Sequence, residues 1–541
     1  MAGDAAVERL VDAILIPPFS GTVAPRWLLD ALHGGLAGVT LFAPNMAAGP
    51  DALAELTATL RAVAPDLLVA ADEEGGDVTR VWYDTGSPYP GNAALGAVDD
   101  VALTERVHAA IGADLAALGV NLDLAPCLDV LAAPDNPVVG TRSFGADPAL
   151  VARHGAAAVR GLQAAGVAAC AKHFPGHGAT LLDSHAELAI VPDGLAAVET
   201  RDLPPFRAAV AAGVFAVMPG QLRVAGLTGK LPASLSAAAI TLLRTSLAFE
   251  GVVVSDALEM RAVSDPFGIP GAAVRALAAG NDLLCLGRDV PEDGYLAVRA
   301  ALGDAVRTGD LPGARLAEAA SRVTTLRETL AHFRSAKTGA PAAPRSAGTD
   351  APAAHSAGTG GRGAPHVATG STSGLSPRPG WGTDGGIGLA AAHRALRLSG
   401  TRPELRDPAV IEIEPLPNMA AGDARWGLAE WVPEASVRRV AAAPDPAAAA
   451  AGILKVGADR SLILVVRDAH RSAATRAVLT SVLAERPDTV LLEMGLPYWQ
   501  PPAGACQTYL ATHGASRANA QAAAEFLGLV TPVPQHPQPP Q

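Results

Sequence analysis

The sequence is poor in lysine, cysteine and aromatic residues, and it has fewer basic than acidic residues. Lysine and cysteine each occur four times among 541 residues, and Phe, Trp and Tyr together make up 4%. The formal net charge is −12. Because a negatively charged surface repels phosphate groups, nucleic acids are not expected as partners.

The cysteines are scattered through the chain, at Cys127, Cys170, Cys285 and Cys506. None belongs to a Cys-x-x-Cys pair and no histidines stand at zinc-finger spacing, so we predict neither a disulfide framework nor a structural zinc site. Nothing in the sequence implies a metal or an organic cofactor.

Long apolar runs are also missing. No stretch reaches the roughly 20 apolar residues that a membrane-spanning helix needs. The N-terminal segment MAGDAAVERLVDAILIPPF has no basic start, and charge interrupts its apolar run, unlike a secretory signal. We therefore expect a cytoplasmic protein without a membrane partner.

Apolar residues make up 49% of the chain, which is enough for a large core, and 541 residues exceed one ordinary domain. A stretch of mostly Ala, Gly, Pro, Ser and Thr divides the chain. Such a composition cannot bury a core, and conformational entropy keeps it flexible. We predict an N-terminal domain over residues 1–334, a flexible linker over 335–386, a C-terminal domain over 387–530 and a disordered Pro-rich tail over 531–541.

Eight short, nearly continuous apolar runs alternate with helix-like segments in the N-terminal domain. Such runs are typical of parallel strands buried on both faces, and eight βα units predict a (β/α)8 barrel. A doubly wound open sheet is the alternative. The runs are AILIPP (13–18), GVTLF (38–42), LLVAAD (67–72), VNLDLAP (120–126), VAACAKHF (167–174), VFAVMP (214–219), VVVSD (252–256) and DLLCLG (282–287). The helix-like segments are 50–63, 101–118, 149–165, 203–212, 238–247, 271–279 and 313–332.

The C-terminal domain shows the same alternation on a smaller scale. Apolar runs predict strands over 409–414, 461–466 and 489–495, and helical patterns cover 439–452, 470–485 and 515–527. We predict a smaller α/β domain with a parallel sheet.

Four polar residues stand at the ends of predicted barrel strands: Asp72, Lys172, His173 and Asp256. In a barrel, the carboxyl ends of all the strands open on one face, and active sites lie on that face. These residues are far apart in the sequence, but the barrel is expected to bring them together.

The densest polar cluster, KHFPGHGATLLDSH, covers residues 172–185. Asp183 and His185 are separated by one residue, so the carboxylate can hold one imidazole nitrogen and leave the other for proton transfer. Two other interpretations are a polar loop of hydrogen-bonded histidines and a zinc site formed by His173, His177 and His185.

Two further motifs follow predicted strands. In DEEGGDVTR (72–80), Asp72 can accept from sugar hydroxyls and Arg80 can donate to oxygens; the alternative is a solvated acidic loop. In GVVVSDALEM (251–260), Asp256 ends a strongly apolar strand and is expected at the barrel mouth; the alternative is an N-cap of the next helix.

Together with GTRSFG (140–145), these motifs resemble glycoside hydrolase family 3, and more narrowly its β-N-acetylglucosaminidase branch. The resemblance covers about residues 8–330 and includes NLDLAPCLDV (121–130) and PASLS (232–236). The C-terminal segment resembles the second α/β domain of the family only loosely.

The resemblance implies a role for each matching residue. Asp256 resembles the nucleophile, and His185 resembles the acid/base, which Asp183 orients. The residues that resemble binders of the terminal sugar are Asp72, Arg80, Arg142, Lys172 and His173.

The expected activity is therefore that of a retaining exo-β-N-acetylglucosaminidase on muropeptides or chito-oligosaccharides, with a covalent glycosyl-aspartate intermediate. A neutral imidazole does not repel an anion as a carboxylate does, so inorganic phosphate can compete with water, and a phosphorylase is the nearest alternative. A broader β-glucosidase and a sugar-binding protein without catalysis are further alternatives. The chain departs from the family pattern at Glu73, which replaces an amide, at Ala179, and at Gln221, where relatives usually carry His.

Overall fold

The structure is a computed structural model that describes residues 2–183, 187–338 and 385–530. Its N-terminal part is built from short strands alternating with helices. The strands are β1 (Leu15–Ile16), β2 (Gly38–Thr40), β3 (Leu68–Ala71), β4 (Leu122–Asp123), β5 (Ala168–Phe174), β6 (Ala189–Val191), β7 (Ala216–Pro219), β8 (Leu222–Val224), β9 (Val252–Val253) and β10 (Leu284–Cys285).

Eight of these strands close into a ring, while β6 and β8 pair with each other outside it. Strands β2, β3, β4, β5, β7 and β9 are hydrogen-bonded in that order, and β1 pairs with β10. A parallel bridge between Val254 and Leu283 joins β9 to β10, and the Thr40 amide donates to the Pro17 carbonyl (3.2 Å) to join β2 to β1. The predicted (β/α)8 barrel is confirmed, and the open sheet is excluded because the ring closes.

The predicted apolar runs coincide with the barrel strands because the barrel buries these strands on both faces. Every residue of β3 and of β5 is buried. The strands and the helices around them share one continuous apolar core, which extends from Val11 in the first helix to Ala391 after the predicted linker.

The helices surround the barrel largely where the sequence predicts them. They are α1 (Ala2–Asp12), α2 (Arg26–Gly34), α3 (Ala43–Met46), α4 (Pro50–Val63), α5 (Asn92–Val98), α6 (Val101–Ala117), α7 (Pro148–Ala164), α8 (Gly194–Ala197), α9 (Leu203–Ala211), α10 (Ala237–Thr241), α11 (Arg261–Ala279), α12 (Glu292–Thr308) and α13 (Gly313–Thr338). The predicted helix over 271–279 is only the second half of α11. Gly268 interrupts that helix with a φ of 65°, which hides its first half from the helical pattern.

The C-terminal part forms a second α/β unit. Its elements are α14 (Gly385–Ala395), β11 (Arg397–Gly400), β12 (Ala409–Ile413), β13 (Val437–Val440), α15 (Pro446–Ile453), β14 (Leu462–Val466), α16 (Ala473–Glu485), β15 (Val490–Glu493), β16 (Thr508–Ala511) and α17 (Arg517–Leu527). The sheet order is β11-β16-β15-β14-β12-β13, and apolar clusters cover both of its faces.

Two predictions for the C-terminal part need correction. The sheet is parallel except at one edge, where β11 runs antiparallel to β16. The predicted helix over 439–452 is wrong at its start, because Val437–Val440 is an edge strand and the helix begins at Pro446. Only the two valines of this VRRV strand pack against apolar clusters, so its strand pattern is too short to stand out beside the alanine-rich helix that follows.

Helix α13 extends to Thr338 and helix α14 begins at Gly385. These helices include residues 335–338 and 385–386 of the predicted linker (335–386). The rest of the predicted linker and the tail residues 531–541 lie outside the described residues, so their character stays a prediction. No helix within the described ranges is long and apolar enough to cross a membrane. The cytoplasmic location also stays a prediction.

The C-terminal part packs against loops at the carboxyl end of the barrel. Val78 and Val138, from the loops after β3 and β4, form an apolar cluster with Ala420 and Ala421. Leu496 packs into a second cluster with residues of the same barrel loops. Since this end of a barrel carries the active site, the C-terminal part lies beside the predicted site.

Candidate active site

The barrel brings together polar residues that follow β3 and end β5. The ammonium nitrogen of Lys172 lies 2.6 Å from Asp72 Oδ1 and 2.8 Å from Glu74 Oε1. The Lys172 side chain is buried, whereas that of Asp72 is partly exposed. Burial alone would raise the Asp72 pKa, but the positive charges of Lys172 and Arg80 outweigh it and lower the pKa below its usual value. Asp72 is therefore an ionised acceptor within reach of a ligand.

Glu74 connects Lys172 to Arg142, which lies after β4. Arg142 donates to Glu74 through Nε (2.9 Å to Oε2) and Nη2 (2.7 Å to Oε1), a bidentate pair that is almost completely buried. Burial would raise the Glu74 pKa, but Arg142 and Lys172 hold it well below its usual range. Glu74 was not among the site residues predicted from the sequence, although Glu74 follows Asp72 by only two residues.

His173 is fixed by Asp129, a second carboxylate that was not predicted as a site residue. His173 Nδ1 lies 2.7 Å from Asp129 Oδ2, and Arg142 Nη2 lies 3.3 Å from His173 Nε2. Asp129 is fully buried, which would raise its pKa, but the nearby histidines keep the pKa well below the usual range. When Nδ1 donates to Asp129, Nε2 is left to accept from Arg142 or from a ligand.

The histidines of the KHFPGHG loop are held by protein groups. Besides the His173–Asp129 contact, His177 Nδ1 lies 2.7 Å from Thr180 Oγ1, and burial lowers the His177 pKa to about 4. Within the described ranges, Cys127, Asp129 and His173 place donor atoms within 4.8 Å of one another. The Cys127 thiol donates to Asp129 (3.1 Å), so these side chains already form a hydrogen-bonded chain.

The loop that leads to the predicted acid/base is anchored by Asn136. Its Nδ2 donates to the carbonyls of His177 and Thr180, both at 2.9 Å. A Cβ at Gly178 would lie 1.9 Å from the Val130 carbonyl oxygen, so this close approach requires glycine. Further along, Asp183 is half-buried and its carbonyl accepts from the Glu187 amide (3.0 Å).

His185 lies outside the described residues. Its pairing with Asp183 and its part in a zinc site with His173 and His177 therefore stay predictions. The anchored histidines, His173 and His177, agree with the interpretation of the first half of the loop as hydrogen-bonded, but they leave the acid/base open.

Asp256 follows β9 at the barrel mouth and is partly exposed. Its Oδ1 accepts from the amide of the next residue, Ala257, at 2.8 Å. The alternative that Asp256 caps the next helix is wrong, because helix α11 begins at Arg261 with Met260 at the N-cap position. The fully buried Gln221 lies behind this segment, where its Nε2 donates to the Ala257 carbonyl (3.4 Å).

The acidic loop after β3 is not solvated, contrary to the alternative interpretation. Glu73, Glu74 and Asp77 are 2%, 3% and 8% exposed. Within this loop, Arg80 Nη2 lies 3.8 Å from Asp72 Oδ2 and donates to the carbonyl of Ala420 in the C-terminal part (3.1 Å). The structure thus places Arg80 beside Asp72, and both residues of this motif were predicted as sugar binders.

Asp77 links the same loop to the C-terminal part. Its Oδ2 accepts from Thr141 Oγ1 (2.5 Å) and from Arg467 Nη2 (2.9 Å), and its Oδ1 accepts from the Ala515 amide (2.7 Å). These bonds connect the loops after β3 and β4 to the strand ends of the C-terminal sheet. The loop that carries Asp72 and Arg80 is therefore held by the barrel loop after β4 and by the C-terminal part.

Comparisons with known proteins agree with this geometry. Residues 25–326 match the Glycosyl hydrolase family 3 N terminal domain. The chain is 40% identical over 269 residues to the Beta-hexosaminidase LpqI of Mycobacterium tuberculosis, covering 48% of this chain and 68% of that protein. It is 38% identical over 290 residues to a Beta-hexosaminidase of Stenotrophomonas maltophilia, covering 52% of this chain and 84% of that protein.

The similarity to a solved structure extends over both parts of the chain. The structure of a glycoside hydrolase family 3 β-N-acetylglucosaminidase from Paenibacillus sp. str. FPU-7 matches with a TM-score of 0.77 and 28% identity, covering 97% of each chain. The family domain spans more than half of this chain and contains every site residue described above except those of the C-terminal part. The chain belongs to glycosyl hydrolase family 3 and is a glycoside hydrolase.

Proposed function

We propose that this protein is a retaining exo-β-N-acetylglucosaminidase. The observation that carries the proposal is the buried network of Asp72, Lys172, Glu74 and Arg142, which presents fixed charges to a ligand on the barrel face where Asp256 also lies. The names of the relatives support it: two that each match about half of the chain are β-hexosaminidases, and the Paenibacillus structure is a β-N-acetylglucosaminidase.

In the proposed reaction, a terminal N-acetylglucosamine binds with its hydroxyls on Asp72, Arg80 and Lys172. Ionised Asp72 accepts hydrogen bonds, while the two cations donate them. Arg142 and His173 complete the sugar-binding side of the site, and Glu74 and Asp129 hold these two side chains in place. Because fixed charges need no rearrangement when substrate arrives, they favour one sugar orientation.

Catalysis then proceeds in two displacement steps at the anomeric carbon. An Asp256 carboxylate oxygen forms a bond to that carbon while the glycosidic oxygen leaves and takes a proton from His185. In the second step His185 removes a proton from water, and the water oxygen displaces Asp256. Asp183 orients the imidazole in both steps. The two inversions restore the β configuration of the product.

Product analysis tests this proposal. The purified protein is incubated with an aryl N-acetyl-β-glucosaminide and with an aryl β-glucoside, with and without inorganic phosphate. We expect N-acetylglucosamine released first as the β anomer, a much slower reaction with the glucoside, and no sugar phosphate. Faster cleavage of the glucoside would identify a β-glucosidase. Formation of N-acetylglucosamine 1-phosphate in the presence of phosphate would identify a phosphorylase. Sugar binding without turnover would identify a binding protein.

A second comparison addresses the natural aglycone. Muropeptides and chito-oligosaccharides both carry a terminal N-acetylglucosamine but differ in the group that leaves. The ratio of kcat/KM between a muropeptide fragment and chitobiose measures which leaving group the site prefers, since free enzyme and glycone are the same in both reactions.

A further inference from the structure

Glu73, next to Asp72, anchors the segment that carries Arg80. One carboxyl oxygen, Oε2, accepts three hydrogen bonds: from Thr79 Oγ1 (2.8 Å), from the Arg80 amide (2.9 Å) and from the Val81 amide (3.0 Å). This single oxygen therefore fixes the backbone on both sides of Arg80. Glu73 thus holds the backbone from which the Arg80 side chain reaches Asp72, and the Arg80 guanidinium also donates to the Ala420 carbonyl (3.1 Å).

The other oxygen of the same carboxyl group has a different environment. Glu73 Oε1 is buried and has no hydrogen-bond partner among the residues that the structure describes. An ionised carboxylate would place negative charge on this unpartnered oxygen, whereas a protonated group leaves only a neutral hydroxyl there. Burying an unpaired charge costs much more than burying an unpaired neutral group.

The charged groups around Glu73 act in opposite directions: the neighbouring Asp123 carboxyl disfavours a second negative charge, whereas the Arg80 cation lowers the Glu73 pKa, but by less than burial raises it. The Glu73 amide donates to Asp123 Oδ1 (3.0 Å) at the end of β4, and Asp123 Oδ2 is likewise buried without a partner among the described residues. Asp72 precedes Glu73 directly. The cations on this side, Arg80 and Lys172, lie against Asp72. Burial raises the Glu73 pKa to about 7 and raises that of Asp123 well above its usual value.

We propose that Glu73 is a positioning residue that works as a neutral carboxylic acid: it holds Arg80 against Asp72, and its ionisation releases that contact. An ionised Glu73 would compete with Asp72 for the Arg80 guanidinium, whose contact with Asp72 is long at 3.8 Å. The sugar hydroxyls would then lose a donor. The inference rests on the proposed function, because it uses Arg80 and Asp72 as groups that bind the sugar.

The first test compares the wild-type protein with Glu73→Gln over the pH range from about 6 to about 8.5, with an aryl N-acetyl-β-glucosaminide in a stopped assay. The amide keeps the acceptor oxygen but cannot ionise. All other titrating groups are shared, so they cancel in the ratio of kcat/KM between variant and wild type. We expect this ratio to rise about tenfold or more from the lowest to the highest pH, because the KM of the wild type rises while that of Glu73→Gln does not. A ratio that stays constant would overturn the proposal.

Thr79→Val provides a second variant. The Thr79 hydroxyl stabilises the ionised carboxyl group, so its removal is expected to move the alkaline rise in KM to higher pH. A midpoint that stays in place or moves to lower pH would contradict the proposal, even if the Gln variant folds poorly.

A spectroscopic readout separates this inference from the proposed function. The infrared spectrum at about pH 6 is expected to show a protonated carboxyl band that is missing in Glu73→Gln and that disappears from the wild type as the pH rises through about 7. If the band behaves in this way but no N-acetylglucosaminide is cleaved, the proposed function is wrong and the neutral acid stands. If the band is absent at about pH 6, the inference is wrong whatever the activity.

Discussion

The ammonium group of Lys172 lies 2.6 Å from a carboxylate oxygen of Asp72, although 100 positions separate the two residues in the chain. Lys172 is near the end of β5 and Asp72 follows β3, with only β4 between them in the ring. Their contact forms because the carboxyl ends of parallel strands meet on one face of the barrel. Lys172 also reaches Glu74, so one cation holds two carboxylates in place.

Replacing Lys172 by Met should destabilise the protein and weaken sugar binding. Asp72 would keep only the longer contact with Arg80, and removing one partner of a buried ion pair costs about 3–5 kcal/mol. The pKa values of Asp72 and Glu74 are lowered in the folded state, so their pairing stabilises the protein above their usual pKa values and less as pH falls.

The measurement is urea unfolding of Lys172→Met and wild type at about pH 7 and about pH 4. The difference in the free energy of unfolding should be larger at the higher pH. Lys230→Met is the matched control, because Lys230 is exposed and should tolerate the change. Equal effects of the two substitutions would contradict the role of Lys172.

Much of this arrangement is predictable from the sequence, because strand position and burial determine it. The apolar runs ending at Asp72 and Asp256 lie on the barrel strands, and the strand-end rule places both residues on one face. Applied to the fourth strand, the same rule indicates Asp123, where β4 ends, and not Asp129, which lies further along NLDLAPCLDV. The role of Glu74 was not predictable in this way, because its bidentate contact with Arg142 depends on how two loops fold against each other.

The C-terminal part shows where sequence patterns fail. Its contact with the site passes through Arg467, Ala420 and Ala515, which belong to no recognisable motif. Two of these contacts use backbone atoms, which any residue type supplies. Sequence alone therefore could not connect the second α/β unit to the loop that carries Arg80.

Replacing Arg467 by Ala should raise KM more than it lowers kcat. Arg467 donates to Asp77, which is almost fully buried in the same loop as Arg80. Loss of this bond leaves part of a buried carboxylate unpaired, at a cost of about 1–3 kcal/mol. Arg460→Ala is the control, since Arg460 pairs with the exposed Asp407 at a distance from the barrel and should change stability by about 0.5 kcal/mol or less. An unchanged KM in Arg467→Ala would show that the Arg467–Asp77 contact is not needed to position the loop that carries Arg80.

Glu73 should make stability fall as pH rises. Its pKa is raised from the usual value to about 7, so the folded state keeps a proton that the unfolded state has already lost above about pH 4.5. This stabilisation is fully present below the unfolded pKa and is lost as pH rises through about 7, for a total of about 3 kcal/mol. Glu73→Gln should lack this decline. Chemical unfolding of wild type and Glu73→Gln from about pH 4.5 to about pH 8 measures the free energy of unfolding at each pH. Equal pH dependence in the two proteins would contradict the prediction.

Replacing Asp256 by Ala should nearly abolish turnover while the fold stays intact. In the proposed mechanism Asp256 forms the bond that replaces the glycosidic bond, so its loss should raise the barrier by about 4 kcal/mol or more, which is about a thousandfold in rate. Asp265→Ala is a matched control on the neighbouring helix, where Asp265 is exposed and pairs with Arg261. Circular dichroism checks that both variants fold. Activity of Asp256→Ala within about tenfold of wild type would rule it out as the nucleophile.

The last prediction concerns His185, which should act on the leaving group. A good leaving group, such as an activated phenol, needs little protonation, so His185→Gly should retain the most activity on substrates with such a leaving group. A sugar leaving group needs the proton and should lose most activity. Removing Asp183 should lower kcat/KM for both substrates less, because in the proposed mechanism Asp183 orients the imidazole and does not transfer the proton.

Azide provides the decisive measurement for His185. A small anionic nucleophile can attack the glycosyl-enzyme without a base, so azide should partly rescue His185→Gly on activated substrates and yield a glycosyl azide of β configuration. His332→Ala is the control, because His332 is an exposed residue of helix α13. This substitution should leave kcat/KM unchanged for both substrate classes. If His185→Gly lowers kcat/KM equally for both substrate classes and no glycosyl azide forms, the proton comes from another group. His177 and Glu74 would be the next residues to test, but burial keeps His177 neutral and the cations around Glu74 keep it ionised, so neither is well suited to donate a proton at neutral pH.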